Sequence, residues 1–218
     1  MTDEDCLKHD TAKDAPNTSR PDFYARKGNV VLLFENKDIL LSQDIKEHGS
    51  LEQLVDFLKT RLFRSEKGKP EGVSQLMNLV SKIRSGEFQK RWDAECPYNA
   101  IVYPILVVPE IKFTIHGVKN LLQRWQHETG VQMNNVKPVA YVDLGTFCLY
   151  QHEFEHNGLL PYLDDYYVQS DFNLFKQSGE FSRIPNALMS FSDYLCHTHN
   201  ETLSSFGEQW ANYINNGE

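Results

Sequence analysis

The sequence lacks three features that would each assign it to a class of proteins. No apolar run reaches the roughly 18 residues that a membrane-spanning helix needs. The first residues, 1–6, are acidic and contain no apolar segment, so we expect no secretory signal. The four cysteines are widely separated and form no Cys-x-x-Cys pair, which indicates reduced thiols and gives no zinc ribbon. Together these absences predict a cytoplasmic protein with no membrane partner.

A net positive charge is also absent, because the chain carries a formal net charge of −8. The charges are unevenly distributed: residues 22–91 hold 13 Lys and Arg against 10 Asp and Glu, whereas residues 92–218 hold 6 against 15. Phosphate neutralisation supplies most of the affinity of non-specific DNA binding, so the acidic second part argues against tight coating of DNA. The basic excess lies in the part of the chain that carries the motif described next.

Two carboxylates and an ammonium group are brought together by a predicted β-hairpin. Residues 23–41 read as two strands joined by a tight turn, in which a Gly-Asn pair supplies the positive φ. Paired strands lie roughly 5 Å apart, so Asp22 and Glu35 can converge on one cation. Lys37 follows Glu35 by two positions and points to the same face of its strand. This group of oxygen ligands suits a hard divalent ion such as Mg²⁺.

The pattern Pro21-Asp22, a gap, and then Glu35-Asn36-Lys37 resembles the signature of the PD-(D/E)XK nucleases, the restriction-endonuclease-like superfamily. The resemblance covers roughly residues 20 to 110, where the strand, the hairpin turn and a following amphipathic helix come in the expected order. It implies a nuclease that hydrolyses DNA phosphodiester bonds with Mg²⁺, for which Mn²⁺ could substitute. DNA is therefore the expected partner, and a homodimer is left open.

The resemblance also implies a role for each site residue. Asp22 and Glu35 would hold the metal ion, and Lys37 would stabilise developing charge or position the attacking water. Gln75, near the start of the following helix, would orient a water or a phosphate. Because an exposed lysine at a strand end contributes little to stability, we expect Lys37→Ala to abolish cleavage without unfolding the protein.

The order of predicted elements indicates an α/β fold with a mixed central sheet flanked by helices, here a restriction-endonuclease-like core with a helical C-terminal extension. A hydrophobic content of 40% is typical of a globular chain, and 218 residues can bury one good core. We expect a flexible polar arm over residues 1–20, the nuclease-like core over 21–145 and the extension, packed on the core, over 146–218. Strands are predicted at 23–25, 30–41, 101–108 and 139–142, with an edge position or a bulge at Pro104; helices are predicted from Ser50, Val73 and Gly117.

A non-catalytic interaction module that retains the nuclease-like fold is an alternative. In the superfamily a helix and a strand usually precede the Pro-Asp pair, and the polar residues 1–20 are poor candidates for either element. The acidic second part of the chain favours the same alternative.

A zinc metallohydrolase is the second alternative, because His152-Glu153-Phe154-Glu155-His156 matches His-Glu-x-x-His. The segment from Thr146 to His156 could form a helix, which would place both histidines one turn apart. The charged Glu155 and the missing third histidine argue against it, and Glu180 is the nearest candidate for a distal acidic ligand. A solvated polar helix face is the interpretation that we favour for this segment.

Overall fold

The computed structural model describes residues 20–40, 42–109, 116–171, 173, 177 and 184–199. The predicted flexible arm therefore lies outside the described residues, apart from Arg20, and so does Glu180. The chain divides into two compact units, one drawn from the described parts of 1–108 and 120–140 and the other from those of 109–119 and 141–218. Within these described parts no helix is long and apolar enough to cross a membrane.

Four strands form a mixed sheet in the order β1-β2-β3-β4: β1 Phe23–Lys27, β2 Val30–Asn36, β3 Ile101–Val108 and β4 Ala140–Asp143. β1 and β2 form the predicted antiparallel hairpin, with a positive φ of 57° at Gly28 in its turn. β2 runs parallel to β3, so the carboxyl ends of these two strands lie at the same edge of the sheet. That edge is where open α/β sheets bind their ligands. An α/β fold with a mixed sheet is thus confirmed, while the restriction-endonuclease-like assignment stays a prediction.

β2 is shorter than the apolar pattern predicted, because it ends at Asn36 instead of residue 41. Its neighbour β3 ends at Val108, and Asn36 already pairs with Val107, so residues 38–40 have no strand left to pair with. The N–H of Lys37 makes the last contact, donating to the carbonyl of Val107 at 2.9 Å. The chain then leaves the sheet and enters a short helix, α1 Gln43–His48, that the sequence did not predict.

Pro104 occupies neither an edge strand nor a bulge, so that prediction is wrong. It lies in β3, which has a neighbour on each side in the sheet, and it pairs in regular register with Leu33. The N–H of Ile101 donates to Asn29 on the β2 side, and the N–H of Val102 donates to Asn135 on the other side. Because N–H groups alternate along a strand, the nitrogen of Pro104 faces away from β2. The ladder between β2 and β3 therefore loses no hydrogen bond.

The helix α2 Leu51–Leu62 begins at the predicted cap. The Oγ of Ser50 accepts a hydrogen bond from the N–H of Gln53 at 3.2 Å, and the Oε1 of Gln53 accepts one from the N–H of Ser50 at 2.8 Å. This reciprocal pair satisfies two backbone donors at the start of the helix.

The next helix, α3 Val73–Ser85, packs on β2 and β3 and carries much of the core of the first unit. Its side chains Leu76, Leu79, Val80 and Ile83 are fully buried at helical spacing, as the sequence pattern predicted. The short α4 Glu87–Arg91 and the helix α5 Val118–Glu128 follow. Packing on the two parallel strands places the first turn of α3 beside the carboxyl end of β2.

The second unit is helical, with α6 Leu144–Leu149, α7 Gln151–Asn157, α8 Leu160–Gln169, α9 Ile184–Leu188 and α10 Phe191–Thr198 among its described residues. Its core includes the buried aromatic side chains of Tyr166, Phe191 and Tyr194. The fully buried Asp143 accepts hydrogen bonds from the N–H of Thr146 at 2.9 Å, from the hydroxyl of Thr146 at 2.6 Å and from that of Ser192. These bonds cap α6 and tie it to α10.

Candidate functional site

The candidate site lies at the carboxyl end of β2, where the hairpin opens. The register pairs Phe23 with Phe34, and the N–H of Asp22 donates to the carbonyl of Phe34 at 3.1 Å. Asp22 therefore stands opposite Glu35, as the sequence predicted. The Oδ2 of Asp22 accepts a hydrogen bond from the N–H of Asn36 at 2.7 Å, which ties its carboxylate to the end of the neighbouring strand.

Lys37 lies between two carboxylates. Its Nζ is 3.2 Å from the Oε1 of Glu35 and donates to the Oε2 of Glu71 at 2.7 Å. The Lys37 side chain is only 16% exposed, so the lysine is not the exposed strand-end residue that the sequence led us to expect. Its ammonium group draws Glu35 from the strand and Glu71 from the loop before α3 into one cluster.

Glu35 is the most perturbed group of this cluster. The residue is 4% exposed, and burial raises the pKa of its carboxyl from an ordinary 4.5 to about 7. The charges of Asp22 and Glu71 add to this rise in pKa, whereas the ammonium group of Lys37 opposes it. A carboxyl whose pKa lies near neutrality is able to exchange its proton for a cation at physiological pH, and such perturbed acids concentrate at functional sites.

Glu71 is the member of the cluster that the sequence analysis missed. It is 34 positions from Lys37 along the chain, in the connection between α2 and α3. Its N–H donates to the carbonyl of Phe63 at 2.9 Å and its carbonyl accepts from the N–H of Ser74 at 2.8 Å, so its backbone is held on both sides. The signal that could have found it was its position directly before the helix that carries Gln75.

Gln75 makes a structural contact. Its Oε1 accepts a hydrogen bond from the N–H of Gly72 at 2.8 Å, which caps the start of α3. Gly72 itself adopts a positive φ of 39°, and a Cβ there would lie 2.5 Å from the carbonyl oxygen of Leu62. The structure thus places Gln75 one helical turn after Glu71, with its carbonyl oxygen occupied by the helix cap.

The donor set fits a hard divalent cation. Asp22 and Glu35 offer carboxylate oxygens from opposite positions of the hairpin, and a cation here would favour the charged form of the Glu35 carboxyl, which burial disfavours. No group of three or more His, Cys, Asp or Glu side chains arranged to hold a metal ion occurs in the part of the chain that the structure describes. An ion held here by two carboxylates would keep several water ligands, as Mg²⁺ does in proteins.

The His-Glu-x-x-His segment lies on α7, and His152 and His156 are both exposed there, in agreement with the polar helix face that the sequence favoured. The single helix expected over 146–156 is interrupted at Tyr150, whose φ of −106° and ψ of 17° separate α6 from α7. On α7 the rings of His152 and His156 stack with their centroids 4.2 Å apart, and the Nδ1 of His156 hydrogen-bonds to the carbonyl of His152 at 2.8 Å. Glu153 accepts hydrogen bonds from Asn157 at 3.1 Å and from Tyr162 at 3.0 Å. These contacts link the surface of α7 to itself and to Tyr162 at the start of α8.

One buried cation lies apart from both motifs. Lys119 is 3% exposed, and its Nζ donates to the carbonyl of Ser170 at 2.5 Å and lies 5.4 Å from the ring centroid of Tyr166. Burial lowers the pKa of Lys119 to about 8, although Asp171 opposes the change. The contacts fix the end of α8, and they could not be predicted from the sequence because a lone lysine on an amphipathic helix is normally exposed.

Comparison of this chain with models of protein families, with curated proteins and with solved structures found no match.

Proposed function

We propose that this chain is a Mg²⁺-dependent nuclease that hydrolyses DNA phosphodiester bonds at the carboxyl end of β2. The observation that carries the proposal is the buried carboxylate of Glu35, which lies 3.2 Å from the ammonium group of Lys37 and opposite Asp22 in the hairpin. Burying an acid beside a second acid costs stability, and such costs are typical of functional sites. The same three residues form the pattern that resembles the PD-(D/E)XK nucleases.

The residues divide the chemistry between them. Asp22 and Glu35 would hold the metal ion, which when bound lowers the pKa of a water ligand and neutralises charge on the phosphate. Lys37 donates hydrogen bonds to a phosphate oxygen or to the attacking water once it releases one of its two carboxylate partners. Glu71 holds Lys37 at the edge of the sheet in the meantime. Gln75 would act on substrate only through its amide nitrogen, because its oxygen caps α3.

A non-catalytic binding module is the second candidate. It is favoured by the ion pairs of Lys37 with Glu35 and Glu71, which form a closed cluster without substrate, and by the capping role of Gln75. The cytoplasmic location and the homodimer stay predictions.

A cleavage assay separates the two candidates. The purified chain is incubated with supercoiled, linear and single-stranded DNA in Mg²⁺, in Mn²⁺ and in EDTA. We expect cleavage with either metal ion and none in EDTA, with loss of cleavage in Asp22→Asn and Lys37→Met. Absence of cleavage by the native chain on every substrate would favour the module, and cleavage that survives both substitutions would refute the assignment of the site.

A further inference from the structure

A strongly basic segment precedes the candidate site. Residues 59–70 contain five cationic side chains and one acid, Glu66, for a net charge of +4 in a chain whose total is −8. All five cationic residues are exposed: Lys59, Arg61, Arg64, Lys67 and Lys69. None of the five has a carboxylate within 4 Å among the residues that the structure describes, so their charges are not neutralised by ion pairs there.

Helix capping accounts for only part of this charge. Lys59 and Arg61 lie in the last turn of α2, where cations interact favourably with the helix dipole. Lys67 and Lys69 lie beyond the helix in the loop, where that explanation does not apply. A second reason is needed for the three further cations, Arg64, Lys67 and Lys69, in an acidic protein.

The loop is held in a defined shape and is followed directly by Glu71 of the candidate site. The N–H of Ser65 donates to the carbonyl of Lys69 at 2.9 Å, and the Oγ of Ser65 accepts from the N–H of Lys69 at 3.1 Å. Arg64 and Pro70 form an antiparallel bridge, and the following residue is Glu71, the partner of Lys37. The basic segment therefore leads directly into the cluster at the carboxyl end of β2.

A groove runs between the end of α2 and this loop. Its volume is about 390 Å³, and it is lined by Phe57, Thr60, Arg61, Ser65, Glu66 and Lys67. The guanidinium group of Arg61 lies 5.7 Å from the ring centroid of Phe57, which restrains it over the groove. The cations Arg61 and Lys67 and the hydroxyl of Ser65 can donate to phosphate oxygens, whereas the hydroxyl of Thr60 donates to the carbonyl of Phe57 at 2.8 Å and Glu66 adds one carboxylate to the lining.

We propose that this groove binds the phosphate backbone of DNA and directs the strand towards Glu35 and Lys37. The proposal rests on the proposed function for its choice of partner. Charge complementarity supports it, because DNA is a polyanion and the groove presents unpaired cations in a protein that is otherwise acidic. Backbone contacts of this kind would give affinity without sequence preference.

The test compares two variants that each lose two positive charges. The groove variant is Arg61→Gln with Lys67→Gln; the control is Lys27→Gln with Lys90→Gln, two exposed lysines at the turn end of the hairpin and on α4. Binding of fluorescently labelled 20-nucleotide single-stranded and 20-base-pair DNA is measured by anisotropy in EDTA between 50 and 200 mM salt. EDTA prevents cleavage, so binding is read independently of catalysis.

We expect the groove variant to bind DNA about tenfold more weakly than the native chain. The slope of its affinity against salt concentration should correspond to about two fewer phosphate contacts. The affinity of the control variant should change about twofold or less. Equal losses in both variants, no DNA binding by the native chain, or tighter groove-dependent binding of RNA or polyglutamate would overturn the inference. Binding that depends on the groove in a chain that never cleaves DNA would instead uphold the inference and refute the nuclease. DNA cleavage by the native chain, together with equal DNA binding by the two variants, would refute the groove and support the nuclease.

Discussion

Glu35 carries the largest electrostatic cost in the candidate site. Its carboxyl has a pKa of about 7 in the folded chain against an ordinary 4.5, mainly because it is buried. The folded state therefore binds the proton more tightly than the unfolded chain does. The cost is absent well below pH 4.5, grows as the pH rises towards 7 and is complete above it, where it reaches up to about 3 kcal/mol.

Replacing this carboxyl with its uncharged isostere is predicted to stabilise the protein at high pH. Glu35→Gln should raise the free energy of unfolding at pH 8 by about 1–3 kcal/mol, and the gain should shrink towards pH 5. Urea unfolding at the two pH values measures both quantities, with the exposed Asp38→Asn as a control for loss of one negative charge. A Glu35→Gln variant that is less stable than the native chain at pH 8 would mean that the ion pair with Lys37 outweighs the burial of the acid.

Lys37 is predicted to matter for folding as well as for chemistry. Lys37→Met removes the cation that lies between Glu35 and Glu71, so we expect a loss of about 1–3 kcal/mol at pH 8, where both acids are without a partner. Glu35→Gln should stabilise the Lys37→Met variant by more than it stabilises the native chain, because the acid has lost its cation there, and a double-mutant cycle by urea unfolding measures the difference. Strict additivity of the two substitutions would contradict the contact on which the site is built.

At the scale of elements, two helices offer a matched comparison for the role of Gln75. Gln75 in α3 and Gln53 in α2 each accept a hydrogen bond at 2.8 Å from the backbone N–H of the residue that precedes the helix. Truncating either to Ala should cost about 0.5–2 kcal/mol, with the larger loss at the less exposed Gln75. If Gln75 also positions water or phosphate, its truncation should lower the rate of DNA cleavage several-fold, whereas Gln53→Ala should leave the rate unchanged. Equal rates of DNA cleavage in the two variants would mean that Gln75 only caps α3.

The elements that the sequence predicted well are those specified by neighbouring residues. The hairpin follows from the turn at Gly28, and α2 from the cap at Ser50, because both signals act over a few positions. The end of β2 could not be read locally, because it depends on where β3 stops offering partners. The prediction of an edge or a bulge at Pro104 was wrong for a similar reason. The cost of its missing N–H depends on which side of the strand the nitrogen faces, and the sequence alone does not specify that side.

The same reasoning applies to the site. Asp22, Glu35 and Lys37 could be grouped in advance because a hairpin fixes their spacing. Glu71 could not, because its contact with Lys37 requires α2 and the basic loop to fold back on the sheet. The burial of Glu35, and with it the raised pKa, is likewise a property of the assembled core.

At the scale of the whole molecule, the proposed function depends on one region of an acidic chain. The cluster of Glu35, Lys37 and Glu71 adjoins the basic segment 59–70, while the net charge of the chain remains −8. Binding that depends on one basic region should be sensitive to salt, because a few phosphate contacts supply most of the affinity. We expect cleavage under subsaturating DNA to slow steeply between 50 and 200 mM salt, by tenfold or more, and cleavage at saturating DNA to change little. A rate that is independent of salt in both conditions would place substrate binding elsewhere.

The most direct test of the central claim is the rate of DNA cleavage in Mg²⁺ by the native chain and by Glu35→Gln, measured side by side at pH 8. At that pH the variant is predicted to be at least as stable as the native chain, so a lost rate cannot be assigned to unfolding. The account predicts cleavage by the native chain and a reduction of at least 100-fold in the variant, because a carboxamide is a poor ligand for Mg²⁺. Equal cleavage by the two proteins, or none by the native chain, would contradict it.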